Sequence, residues 1–154
     1  MSTTRSSRPQ TVSRAQVDPR ASRFAAGLTT VVLAVALVAA PSPLTVVLVA
    51  AQGLVFGIAV RRGVARTPYA WVFRNAVRPR LGPPRDLEDA APPRFAQAVG
   101  LGFVLLALAG YLSGVDLVGS VATGFALAAA FLNAAFGLCL GCEVYLLLRR
   151  ASHH

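Results

Sequence analysis

Four long apolar runs constrain this chain more than any other feature. They cover residues 24–40, 44–60, 95–112 and 117–148. A helix needs about 20 mostly apolar residues to cross the hydrocarbon core of a bilayer. The runs therefore predict transmembrane helices over about 22–40, 44–60, 95–113 and 117–148. Composition agrees, since only 14% of the residues are charged where a soluble domain carries about 25%. The expected fold is all-α, a four-helix transmembrane bundle.

Charge placement predicts how the bundle sits. All fifteen basic residues are arginine and the net charge is +9. Arg5, Arg8, Arg14, Arg20 and Arg23 precede the first run, eight more lie between the second and third, and Arg149 and Arg150 follow the fourth. The turns at 41–43 and 113–116 hold none. Four spans place every arginine on one side, which the positive-inside rule makes cytoplasmic, together with both termini. Arginines that flank apolar spans point to lipid headgroups and to topology, not to nucleic acid. Arg61, Arg62, Arg149, Arg150 and Trp71 are the membrane-interface candidates. The first run rivals a signal peptide, with Val38-Ala39-Ala40 as a loose cleavage site. Its long charged lead and the following Pro41 favour an uncleaved span.

Outside the spans the chain divides simply. Residues 1–17 are Ser/Thr/Arg-rich and predict a disordered tail. Residues 18–150 form one membrane domain, and 151–154, with His153 and His154, carry no assigned role. The loop 61–94 contains a helix start at Thr67-Pro68 and a stop at Arg78-Pro79. Tyr69, Val72, Phe73, Ala76 and Val77 share one face of that helix. It reads as a short amphipathic interfacial helix in a central cytoplasmic loop, or as a helix packed on the bundle. Residues 81–93 read as irregular, with Asp86, Glu88 and Asp89 expected to pair with nearby arginines. Gly53 and Gly57 have GxxxG spacing, and Ser120, Gly124 and Ala128 form a small-residue stripe suited to close packing. The fourth run, at 32 residues, is too short for two spans and too long for one upright span. It either tilts or breaks near Gly137 or Gly141.

The chemistry-bearing residues lie in that last run. Cys139 and Cys142 are the only cysteines. On a continuous helix they would share a face with Glu143, beside Phe136. Two thiols at this spacing suit thiol–disulfide exchange, one attacking and the other resolving, or relay of a sulfane sulfur. Glu143 would serve as a base, though a carboxylate beside the pair also raises the thiol pKa. The bland reading is a pair of small packing residues. The cytosol is reducing, so a permanent structural disulfide is not expected there. Two cysteines and Glu143 fall short of the four ligands zinc needs within one chain. No phosphate-binding loop or cofactor motif is present. Gln52 and Asn133 read as interhelical hydrogen-bond partners. Three function classes follow: a thiol-redox or sulfur-relay partner, a small-solute or sulfur-anion carrier passing Gln52, Asn133 and the cysteines as a homo-oligomer, and a non-catalytic scaffold.

Three stretches carry a family resemblance: Val17-Asp18-Pro19-Arg20, Pro92-Pro93-Arg94-Phe95-Ala96-Gln97, and the ten residues from Phe136 to Tyr145 around the CxxC. Together they resemble the bacterial membrane family catalogued as domain of unknown function number forty-three ninety-five, over about residues 17–150. The resemblance implies a four-span protein of the bacterial plasma membrane, encoded near thioredoxin-like or sulfurtransferase proteins. One of these would be its soluble cytoplasmic partner. It implies no activity and no cofactor.

Overall fold

The computed structural model describes residues 15–154. The expectations for residues 1–14, Arg5, Arg8 and Arg14 among them, lie outside the described residues. Four helices are long and apolar enough to cross a membrane: α1 (Pro19–Val38), α2 (Pro43–Arg62), α5 (Ala91–Leu112) and α6 (Asp116–Phe136). The protein is a multi-pass membrane protein. Only 22% to 28% of each spanning window is buried against protein. The remaining apolar surface, with Val31, Val47, Leu54, Leu105, Leu117 and Phe125 exposed, has the character of a lipid-facing shell.

The first two spans start where the sequence provides a cap. Asp18 caps α1, its Oδ1 accepting from the Arg20 N–H at 2.9 Å, with Pro19 in the first turn. Ser42 and Pro43 repeat the device for α2. A proline there loses nothing, because the first helical N–H groups have no partner within the helix. The helices form a ring in chain order, α1 against α2, α2 against α5, α5 against α6, and α6 back on α1. Ala36, Val49, Phe56, Val104, Ala107, Tyr111 and Ala122 make up the core.

Small residues set the closest approaches. A Cβ on Gly110 would lie 2.5 Å from the Gly119 backbone nitrogen, so only glycine allows α5 and α6 to meet there. Gly53 fits against Val104 as GxxxG spacing suggested, whereas Gly57 faces open space. The packed stripe of α6 is Gly119, Ala122, Thr123 and Ala126. The expected stripe through Ser120, Gly124 and Ala128 is therefore displaced by about one residue: Gly124 meets nothing and Ala128 is exposed. The Tyr111 hydroxyl decides the rotation, lying 3.3 Å from Ser120 Oγ and 3.4 Å from Thr123 Oγ1.

The loop between α2 and α5 is largely helical. A 3₁₀ turn (Val64–Arg66) leads to α3 (Pro68–Val72), a wide π turn (Phe73–Val77) and α4 (Arg78–Leu81). Thr67 caps α3 through the Ala70 N–H at 3.2 Å, as its sequence indicates. The helical path does not stop at Arg78-Pro79 but continues to Leu81. Proline has no N–H and crowds the preceding turn. The π turn, in which the Arg78 N–H reaches the Phe73 carbonyl, absorbs the mismatch. One side of this segment packs into the mouth of the bundle, with Phe73 buried against Phe24 at 5.7 Å between ring centroids. Trp71 and Val72 face outward.

A two-residue strand pair has no counterpart in the sequence reading, and a break in the last run is one of the courses left open there. Strand β1 (Gln16–Val17) pairs antiparallel with β2 (Glu88–Asp89), tying the start of the ordered chain to the 81–93 region. The last apolar run is also divided. Helix α6 ends at Phe136, Gly137 adopts a left-handed conformation at φ 67°, and a separate amphipathic helix α7 (Leu140–Ser152) follows. Helix α7 packs mainly on α5.

Candidate functional site

Chain direction brings the start of α1, the 63–90 loop, the start of α5 and the α6–α7 junction to one end of the bundle. All twelve described arginines lie at that end. Several of them cap helix C-termini, where carbonyls lack partners. Arg23 Nη2 donates to the Ala134 and Ala135 carbonyls at 3.2 and 3.4 Å. Arg94 Nε donates to the Val60 carbonyl at 2.7 Å. Arg20 reaches the Gly82 carbonyl at 3.1 Å while paired with Asp18 at 3.0 Å. The hydrogen bond from Arg20 holds the Asp18 carboxyl below its ordinary value. Arg74 donates to the Ala65 carbonyl. The sequence reading assigns these arginines to headgroups, to topology and to pairing with loop acids, and not to helix carbonyls. The available signal was their place immediately beside span boundaries.

A cleft of about 660 Å³ opens among these elements. Three segments distant in sequence line it. Val17, Asp18 and Pro19 come from the first, Pro92, Pro93, Ala96 and Gln97 from the second, and Gly137, Cys139, Cys142 and Glu143 from the third. Asn133 also faces the cleft, as do Arg23, Arg74 and Arg78.

Cys139 and Cys142 form a disulfide across the first turn of α7. Cys139 is the N-cap: its backbone is extended and its sulfur accepts from the Cys142 N–H at 3.3 Å. Both cysteines are partly exposed. The pair thus sits at a helix start and not inside a continuous helix. Glu143 follows in the same turn, its N–H donating to the Cys139 carbonyl at 3.1 Å, and its side chain is exposed. Phe136 lies before the break, 72% exposed and edge-on to Phe131. A helix start is a favourable place for a thiolate, because its N–H groups and dipole stabilise negative charge.

The remaining sequence candidates fall elsewhere. Gln52 is fully buried, donating to Thr29 Oγ1 at 3.2 Å and accepting from the Tyr69 hydroxyl at 2.7 Å. Its interhelical role matches expectation. The reach of Tyr69 does not, because Gln52 lies ten residues inside Arg62, roughly 15 Å along α2. Burial pushes the Tyr69 phenol above its ordinary value. Trp71, Arg61, Arg62, Arg149 and Arg150 are exposed. Arg149 lies over the Tyr145 ring, 6.0 Å from its centroid. Among the described residues no group of three or more metal-ligating side chains comes together.

A family model described as Domain of unknown function (DUF4395) matches residues 17–150. No curated protein and no solved structure matches the chain.

Proposed function

The chain belongs to this family of unknown function, and we propose that it is a membrane-bound thiol–disulfide exchange centre at the arginine-rich end of the bundle. That end faces the cytoplasm of a bacterial cell, by the positive-inside rule. The partner is a soluble thioredoxin-like or sulfurtransferase protein that presents a thiol or disulfide at the cleft. The observation that carries the reading is the Cys139–Cys142 disulfide closed across a capped helix start, at the edge of an open cleft. A disulfide in a reducing compartment is better explained by turnover than by structural support.

The roles follow from position. In the reduced protein Cys139 is the group nearest the helix N-terminus, so its thiolate is favoured and it attacks a partner disulfide. A mixed disulfide forms at Cys139, and one partner sulfur leaves as thiolate. Cys142 then gives up its proton, for which Glu143 is the proposed acceptor, and attacks Cys139. This closes the internal disulfide and releases the second partner thiolate. Two electrons pass from the Cys139/Cys142 dithiol to the partner, and the reverse sequence returns them. The carrier reading is weaker, because Gln52, one station on its path, is wholly buried and bonded on both sides.

The test is trapping. Cys142→Ser should accumulate a mixed disulfide between Cys139 and a cytoplasmic protein, visible on non-reducing gels and by mass spectrometry. Cys139→Ser should accumulate none. An adduct heavier by one sulfur atom would move the reading to sulfur relay. Identical behaviour of both variants and the wild type, with no adduct, would leave only the packing role.

A further inference from the structure

A second cleft, of about 560 Å³, lies where the ends of α2 and α7 meet the start of α5. Its charged lining differs from that of the first. The larger cleft sets Arg23, Arg74 and Arg78 against Asp18, Glu88, Asp89 and Glu143, and so offers no excess of positive charge. The second sets Arg62, Arg94 and Arg149 against Asp89 alone. The Asp89 Oδ1 already accepts from the Ala91 N–H at 3.0 Å. The balance is three guanidinium groups to one engaged carboxylate.

The guanidinium groups come from three helices, and two of them are held in place. Arg94 is held through Nε on the Val60 carbonyl at 2.7 Å. Arg149 is stacked over Tyr145, which packs on Phe95 of α5 at 5.6 Å. The sequence sets the level of two of them, since Arg62 closely follows the apolar run 44–60 and Arg94 immediately precedes 95–112, and the cleft sets Arg149 of the separate helix α7 beside them. The cleft therefore opens at the boundary of the hydrocarbon, where phosphates of lipid headgroups lie. Leu148 and Leu147 of α7, both more than half exposed, supply apolar surface next to Arg149.

We infer that this cleft is a binding site for the phosphate of an anionic phospholipid, held by Arg62, Arg94 and Arg149 with the acyl chains against the outer face of α7. Arginine suits the task because its planar fork makes paired hydrogen bonds to phosphate oxygens. Basic pockets between membrane helices on the cytoplasmic side are where such headgroups bind. Because Arg149 lies on the helix that begins at Cys139, a bound lipid would hold α7 against α2 and α5. The site does not depend on the thiol reading.

The full chain, purified in detergent, is titrated with dioleoylphosphatidylglycerol, with dioleoylphosphatidylcholine and with inorganic phosphate, and bound species are counted by native mass spectrometry. The wild type should retain phosphatidylglycerol in preference to the other two. R62Q and R149Q should each weaken retention about fivefold, the effect of one arginine near a headgroup. R61Q and R150Q, which remove neighbouring charges outside the cleft, should leave it within about twofold, and R149K, which keeps the charge but loses the planar fork, should fall between wild type and R149Q. Equal losses from R61Q, R150Q, R62Q and R149Q would overturn the site in favour of diffuse attraction. Equal retention of both lipids would overturn it outright. Binding of inorganic phosphate as tight as that of the lipid would make it a soluble-anion site.

Discussion

At the scale of single residues, the most consequential contact is one that joins a loop to the membrane interior. The Tyr69 hydroxyl donates to Gln52 Oε1, and Gln52 Nε2 donates to Thr29 Oγ1. Gln52 has no exposed surface, so removing Tyr69's hydroxyl leaves its carbonyl oxygen buried without that donor. Such an orphan costs about 1–3 kcal/mol, and Tyr69→Phe should lower stability by that amount in detergent. The pH dependence has a definite sign. Burial raises the folded pKa of Tyr69 above its ordinary value of 10.0. The contribution is therefore complete below the unfolded pKa and is lost as pH rises through the folded one. Thermal unfolding should show the gap between wild type and Tyr69→Phe closing on the alkaline side. The chain has no lysine to obscure this. A gap that stays constant with pH would refute the account. The sequence named Gln52 as a hydrogen-bond partner because an amide in an apolar run must be satisfied. It could not name Tyr69, since nothing local shows that the loop helix enters the mouth of the bundle.

At the scale of elements, the break between α6 and α7 decides what the cysteines can do. Length alone showed that the 117–148 run could not be one upright span, and both Gly137 and Gly141 were eligible break points. Long-range contacts choose between them. Gly137 sits at φ 67°, where a side chain is strained, and Arg23 satisfies the carbonyls of the turn before it. Gly141 is needed for another reason: a Cβ there would lie 2.6 Å from Ala96 of α5. One glycine ends a helix and the other seats one, a distinction absent from local sequence. Gly137→Ala should therefore cost about 1 kcal/mol and favour continuation of α6 into α7. Continuation would take Cys139 off its cap and slow its alkylation in the reduced protein. Maleimide stopped-flow kinetics on reduced wild type and Gly137→Ala would check this. An unchanged rate would mean that the helix start does not activate Cys139.

At the scale of the whole molecule, the bundle is polar end to end. The four spans and the gathering of arginine at one end were legible because hydrophobic length and charge placement are one-dimensional properties of the chain. The two-residue strand pair, the π turn and the clefts were not, because each depends on segments that meet only after the spans assemble. The same asymmetry gives the last prediction. Twelve described arginines, several bound to helix carbonyls, occupy the end that holds Cys139 and Cys142, and moving them across a bilayer would cost several kcal/mol for each charge. The arginine-rich end should therefore remain cytoplasmic. After reduction, a membrane-impermeant maleimide should label the cysteines in inverted vesicles and not in intact cells. A cysteine placed at Ser113, in the opposite turn, should give the reverse pattern in a Cys139→Ser/Cys142→Ser background. Labelling of the native pair from outside intact cells would invert the molecule and move its exchange partner to the outer side. Such an inversion would leave the disulfide chemistry intact but remove the cytosolic reductant, so topology decides which pool of electrons the protein can use.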